Sequence, residues 1–349
     1  MTGKIYLLLL LALSFRTLTA QNFLQDSTLD NLVLPAGYKT CRPGDLGAVK
    51  KVGHGKQSVI LIPGIGFSAN VFDNFMKANE KLYTMYAITP AGFGGIPAPP
   101  MPDTSVKYGE LTWTNGIVTG ILNLIEKEKL YKPIIIAHFI TATQVALNLA
   151  LNYPDKISKV IIIAGSPYRY YASQAKDGTW SNWRNEKKYT PEQRAKLVEV
   201  FWAPRWFKTV TKKTWDQNMW TPDVYCKDSI TGNQLFKVSA EVPVQVMIRY
   251  LIEWMAYDVS EKYAALKVPV LILIPDFKGL LLTSDSMSNK SSTSSSKEYL
   301  KYFHQEPWTK AKESGNPMFW FQTVPDTRIF MWYDNPAAVY SLVNDFIKK

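Results

Sequence analysis

Five short apolar runs, each closed by a turn residue and separated by stretches of helical periodicity, constrain this chain more than any other feature. They are SVILIPG (Ser58–Gly64), MYAITPAG (Met85–Gly92), PIIIA (Pro133–Ala137), KVIIIAG (Lys159–Gly165) and VPVLILIPD (Val268–Asp276). None alternates apolar with polar residues, the pattern of strands covered on both faces. Val71, Phe72 and Phe75 precede the second run at helical spacing, Ile117, Ile121, Leu124 and Ile125 precede the third, and QVALNLALNYPDKI precedes the fourth. Strand alternating with helix predicts an α/β fold with a mainly parallel sheet flanked by helices. Apolar spacing from Ala337 to Ile347 predicts a last helix docked on that sheet, and Gly53-His54-Gly55 reads as a hairpin turn before the first run, with His54 a turn residue rather than a ligand.

The rhythm stops between the fourth and fifth runs. Residues 167–262 hold Trp180, Trp183, Trp202, Trp206, Trp215, Trp220 and Trp254, with Tyr168, Tyr170 and Tyr171 at the entrance. The stretch TPEQRAKLVEVF, opened by Thr190 as a cap before Pro191, predicts a helix. The segment is expected to be an inserted helical lid over the sheet; its aromatic residues would pack it down, and a few would roof a ligand pocket. TSDSMSNKSSTSSS (Thr283–Ser296) is too polar to bury and is expected to be a surface loop.

The first twenty residues, MTGKIYLLLLLALSFRTLTA, have the basic start, leucine-rich centre and small or polar end of a secretory signal. The expected organisation is a signal at 1–20, a core made of 21–166 and 263–349, and a lid at 167–262. The protein would be exported, periplasmic or secreted, with no stable membrane span because no apolar run reaches about 20 residues. The formal charge of +11 is spread over scattered basic pairs such as Lys50-Lys51 and Lys212-Lys213, which favours a solvated surface over a nucleic-acid site. Cys41 and Cys226 could pair in an oxidising compartment. Two cysteines, and three histidines without an HExxH-like grouping, leave no basis for a metal site, and no cofactor is expected.

Taken in order, these motifs resemble the α/β-hydrolases with a helical lid. LIPGIGFSANVFD is similar to that family's first strand and oxyanion loop, TPAGFGGIPAPP to the loop that follows in an esterase-like branch, and IIIAHFITATQVALNLALNYPDKISKVIIIAGSP to the nucleophile elbow, its helix and the next strand. The elbow pattern is G-x-S-x-G, a strained turn that exposes a serine. Here those positions read Ala137-His138-Phe139-Ile140-Thr141, so Phe139 stands at the nucleophile position, or Ile140 if the helix is shifted by one. The resemblance puts the acid at Asp276 and the histidine at Ile329, within TRIFMWYDNP. Phenylalanine cannot attack an acyl carbon and isoleucine cannot move a proton. The oxyanion donors implied are the backbone N–H groups of Ile65, Gly66 and Ile140.

Three functions follow as expectations. The first is a relative without the Ser-His-Asp triad that binds a small hydrophobic or acyl-type ligand under the lid. The second is an ester or acyl hydrolase with displaced groups, His138 as base and Thr141, Thr143 or Ser166 as nucleophile. The third is an interaction module that docks a partner on the aromatic lid.

Overall fold

The computed structural model of the chain describes residues 33–103, 105–168, 172–174, 180–182, 190–203, 221–280 and 304–349. The signal-like segment, Trp183, Trp206, Trp215, Trp220, Tyr170, Tyr171 and the serine-rich stretch 283–296 lie outside the described residues.

In chain order the strands are β1 (Lys50–Val52), β2 (Gln57–Ile62), β3 (Tyr83–Ala87), β4 (Ile134–His138), β5 (Val160–Ile163), β6 (Ala172–Gln174), β7 (Trp180–Asn182), β8 (Val270–Pro275) and β9 (Phe319–Val324). Seven of them form one sheet in the order β1-β3-β2-β4-β5-β8-β9, parallel throughout except for β1. The five apolar runs supply the five inner strands: Val59–Ile62 in β2 and Val160–Ile163 in β5 have no exposed surface. Strand order reverses at β2, whose neighbours are β3 on one side and β4 on the other. The loops that leave β2 and β4 therefore diverge at the carboxyl edge, where open α/β sheets place their ligands.

The helices are α1 (Asp73–Asn79), α2 (Thr112–Lys127), α3 (Phe139–Asn152), α4 (Pro191–Leu197), α5 (Pro222–Tyr225), α6 (Ser229–Ala240), α7 (Val244–Ala256), α8 (Thr309–Glu313), α9 (Met331–Asp334) and α10 (Pro336–Lys348). α3 is apolar on nearly every side and correspondingly buried, with Ala142, Val145, Ala146, Leu147 and Leu149 fully enclosed. Thr190 does begin α4: its Oγ1 accepts from the Gln193 N–H at 3.3 Å, and the Gln193 side chain accepts from the Thr190 N–H at 2.9 Å.

Three expectations need correction. Gly53-His54-Gly55 is not a hairpin turn, because β1 pairs with β3 and β2 lies on the far side of β3. The chain crosses the start of β3 in close contact: a Cβ at Gly53 would collide with the carbonyl oxygen of Tyr83, and one at Gly55 with that of Leu82. Glycine is needed there because backbone passes over backbone. Cys41 and Cys226 are free thiols; Cys41 Sγ donates to the Pro97 carbonyl at 3.0 Å and Cys226 Sγ to Asp334 Oδ1 at 3.1 Å. The segment between β5 and β8 is not helical throughout, since β6 and β7 pair as an antiparallel ribbon.

One contact fixes how that segment meets the core. α2 follows Leu111, which has a φ of 53° and offers no capping side chain, so the first N–H groups of α2 lack a local acceptor. Glu253 of α7 fills the gap. Its carboxylate accepts from the N–H of Trp113 (3.0 Å), the N–H of Thr114 (2.9 Å) and Thr114 Oγ1 (2.8 Å). Arg249, one turn earlier on α7, donates to it through Nε (3.1 Å) and Nη2 (2.9 Å) and lies over the Tyr108 ring. Both charges are buried, and five donors on one carboxylate offset the cost of removing it from water.

Candidate functional site

The turn after β2 runs Gly64-Ile65-Gly66-Phe67 and closes with the Phe67 N–H on the Gly64 carbonyl at 3.1 Å. Gly66 has a φ of +84°. Among the described residues no backbone acceptor meets the N–H of Ile65 or Gly66, although Ile65 is buried. Side chains of the segment between β5 and β8 cover the turn: a Cβ at Gly66 would stand 2.9 Å from Ser239 Oγ and 3.2 Å from Met247 Cε. α7 also holds the loop after β3, where Tyr250 donates its hydroxyl to the Ala91 carbonyl at 2.8 Å.

Beside this turn lies the junction of β4 and α3. Phe139 has a φ of 59°, and Ile140 has φ 32° and ψ −102°. Two successive left-handed residues, one of them β-branched, mark a strained turn. It resembles the family's elbow in shape, with a phenyl ring leading. That ring is buried and packs against Gly64, where a Cβ would stand 2.9 Å from Phe139 Cβ. The side chain thus occupies the space between the β2 turn and the elbow.

Asp276 directly follows β8. Partial burial would raise its pKa, but the N–H groups of Lys278 (3.0 Å) and Thr327 (3.2 Å) donate to Oδ1, and with nearby Arg328 they hold the carboxyl below its ordinary value. Asp276 ties two loops together as a carboxylate. Ile329 is fully buried, and both of its backbone polar groups are paired: the N–H donates to the Val224 carbonyl at 3.3 Å and the carbonyl lies 3.2 Å from His138 Nε2. The Phe330 N–H donates in turn to Tyr225 at 2.9 Å. A two-residue backbone pairing therefore closes α5 over the Ile329 loop.

His138 is fully buried among Phe330 and Trp332, with ring centroids 4.4 and 4.7 Å away. Burial pushes its pKa down to about 3, against the opposing pull of the Ile329 carbonyl and with a small further lowering from His304. Its Nδ1 has no hydrogen-bond partner, and neither do the buried hydroxyls of Thr141 and Thr143. Thr143 Oγ1 packs against Gly165, and Ser166 Oγ donates to the Tyr168 carbonyl at 2.7 Å. None of these contacts joins a His138 ring nitrogen to the hydroxyl of Thr141, Thr143 or Ser166.

Sequence reasoning gave no role to His304. Its ring lies nearly parallel to Phe139 at 6.1 Å and beside Phe277 at 5.3 Å, fully buried, with burial lowering its pKa to about 3 against a backbone contact with Ala164. A lone histidine after a polar stretch has no spacing partner, so the sequence carried no signal for it. Ser239 was missed for the same reason, being one small polar residue on a helix. Among the described residues no group of three or more His, Cys, Asp or Glu side chains is placed to hold a metal ion, and no helix is long and apolar enough to cross a membrane.

No family model and no curated protein sequence matches the chain. Solved structures do. An enol-lactonase from Burkholderia xenovorans LB400 aligns with a TM-score of 0.55 at 10% identity, covering 86% of this chain and 96% of its own. An esterase from Exiguobacterium antarcticum aligns with a TM-score of 0.55 at 15% identity (86% and 95% covered), and a bromoperoxidase from Bacillus anthracis with 0.54 at 14% (86% and 95%). The chain has the α/β-hydrolase fold. At these identities the likeness extends to fold and not to chemistry.

Proposed function

We propose that this protein is an exported, non-catalytic member of the α/β-hydrolase fold that binds a small hydrophobic or acyl-type ligand beneath a lid formed by the segment between β5 and β8. The observation that carries the reading is the state of His138. Its Nε2 is committed to the Ile329 carbonyl, its pKa of about 3 keeps it neutral, and no described hydroxyl reaches it. A general base must lie within hydrogen-bond reach of its proton and have a pKa near the working pH. Phe139 and Ile329, at the positions where the fold's enzymes carry nucleophile and histidine, support the same reading, as does the apolar cover of Met247 over the β2 turn. Loss of a triad serine or histidine typically costs about a million-fold in rate.

Turnover of short- and medium-chain acyl esters by the full protein, compared with Phe139→Ser, Ile329→His and the double substitution, tests the proposal. The expected result for the natural sequence is no turnover above the buffer rate, together with saturable binding of an apolar probe such as 1-methoxyoctane. Turnover abolished by His138→Ala would establish instead a hydrolase that uses Thr141, Thr143 or Ser166. Export, with a mature chain of core 21–166 and 263–349 around a lid at 167–262, is part of the proposal. Sequencing the amino terminus of protein recovered outside the cytoplasm checks it, and a start at Met1 would overturn it.

A further inference from the structure

Lysines that are scattered along the chain are gathered by its topology. Each of the five inner strands is preceded within three residues by a lysine: Lys56 before β2, Lys81 before β3, Lys132 before β4, Lys159 before β5 and Lys267 before β8. These strands are parallel and start in register, Gln57 beside Tyr83, Val59 beside Ile134, Ile135 beside Val160 and Val160 beside Val270. All five lysines therefore come to the amino edge of the sheet, at the opposite end from the β2 turn and the elbow. Lys156, in the loop between α3 and β5, and Lys348 and Lys349, where α10 ends, join them. Lys159 is drawn back, its Nζ donating to the carbonyls of Phe346 at 3.0 Å and Ile347 at 2.7 Å. Among the described residues no carboxylate pairs with Lys56, Lys81, Lys132, Lys156 or Lys267. The acids at this edge are Glu80, Glu126, Asp155 and Asp345, with Glu128 held by Lys51 at 3.2 Å.

Exposed apolar side chains stand among these lysines. Leu82, next to Lys81, is 50% exposed; Tyr131, next to Lys132, is 86% exposed; Tyr153, three residues before Lys156, is 38% exposed. Lys129 and Lys132 have φ values of 53° and 41°, unusual for residues with long side chains, and between them Tyr131 stands clear of the fold. β3 and β5 are three strand spacings apart, so the apolar tips spread over roughly 15 Å. A nucleic acid would make little use of an exposed leucine, and the loops at this edge contain no arginine, the residue best suited to phosphate and base contacts. A bilayer surface suits both kinds of side chain: lysines meet anionic head groups, while leucine and tyrosine settle at the boundary with the acyl chains. We propose that the amino edge of the sheet is a docking surface for a bilayer that carries anionic phospholipid, with Leu82, Tyr131 and Tyr153 set into the head-group layer. The carboxyl edge, with the ligand site proposed above, then faces water.

Flotation of the full chain with two kinds of vesicle tests the proposal, one of phosphatidylcholine alone and one with about 30% phosphatidylglycerol. Binding is expected to the anionic vesicles alone, and it should weaken as salt rises from about 0.1 M to about 0.5 M. The triple substitution Lys56→Glu, Lys81→Glu and Lys156→Glu should lower the partition coefficient at least about a hundredfold, each lysine near such a surface contributing about fivefold. Leu82→Ser with Tyr131→Ser should lower it about tenfold without changing the salt dependence. All five side chains are exposed, so thermal melts of both variants should match the parent. Failure to bind anionic vesicles, or equal binding to neutral ones, would overturn the proposal. So would binding that survives both sets of substitutions, which would assign attachment to the apolar stretch from Ile5 to Phe15. Indifference to Leu82→Ser with Tyr131→Ser, together with equally tight retention on a DNA duplex, would replace the bilayer by a polyanion.

Discussion

His138 Nε2 lies 3.2 Å from the carbonyl oxygen of Ile329, so the imidazole at the end of β4 is bonded to the backbone of the residue that the sequence resemblance sets at the histidine position. The carbonyl requires the Nε2–H tautomer, which leaves Nδ1 as a buried lone pair.

Stability should therefore depend on pH through His138 and His304. Both have folded pKa values of about 3 against an ordinary 6.5, so the unfolded chain binds protons that the folded chain refuses. Their contribution is fully present above pH 6.5 and is lost as pH falls toward 3, at about 1.4 kcal/mol per pH unit for each histidine. Urea melts at pH 7.5, 5.5 and 4.5 would show it, and His138→Phe should flatten the slope. Invariant stability across that range would mean the rings are not buried as neutral groups.

Removing the Glu253 carboxylate should be costly. Glu253→Ala strips the cap from α2 and strands Arg249 in the interior, an effect of about 3–5 kcal/mol. A denaturant midpoint within error of the parent would show that the cap is not formed in solution.

The crossing over β3 offers a simpler test. Gly55→Ala places a methyl group on the Leu82 carbonyl and should destabilise by more than about 1 kcal/mol. The same change at Gly95, which has no neighbour within 4 Å but a φ of +80°, should cost less. Thermal melts of the two variants side by side read the difference.

Thiol titration addresses the cysteines. Unfolded without reductant, the protein should release two free thiols. In the native state Cys226 should resist modification, because burial and the Asp334 carboxylate push its thiol up to about 12. A count of zero after unfolding would mean that the two are bonded to each other.

The inner strands were legible because continuous apolar runs have few other ways to be buried. β9 was not, since only Phe319 and Val324 of its six residues are buried and its face carries Gln322 and Thr323. β1 was not, because KKV has no apolar signature and owes its place to pairing with β3. Motif order singled out Phe139, Asp276 and Ile329 as residues to look at, but gave nothing of their surroundings, which depend on packing between segments far apart in the chain. Arg249 and Glu253 did leave a trace, as the two charged residues of VQVMIRYLIEWMA. A four-residue interval between opposite charges on an otherwise apolar helix is the mark of a buried pair.

The pairing of Val224 and Tyr225 with Ile329 and Phe330 has a consequence for biogenesis. Its two halves are roughly a hundred residues apart, and contacts of such separation form late. On the ribosome, α5 emerges long before the loop that holds it down, and the residues of β8 and β9 are made in the interval. The α5 pairing therefore waits until Phe330 has been made, and until then the buried partners of Ile329 and Phe330 are exposed to chaperones and to chance association.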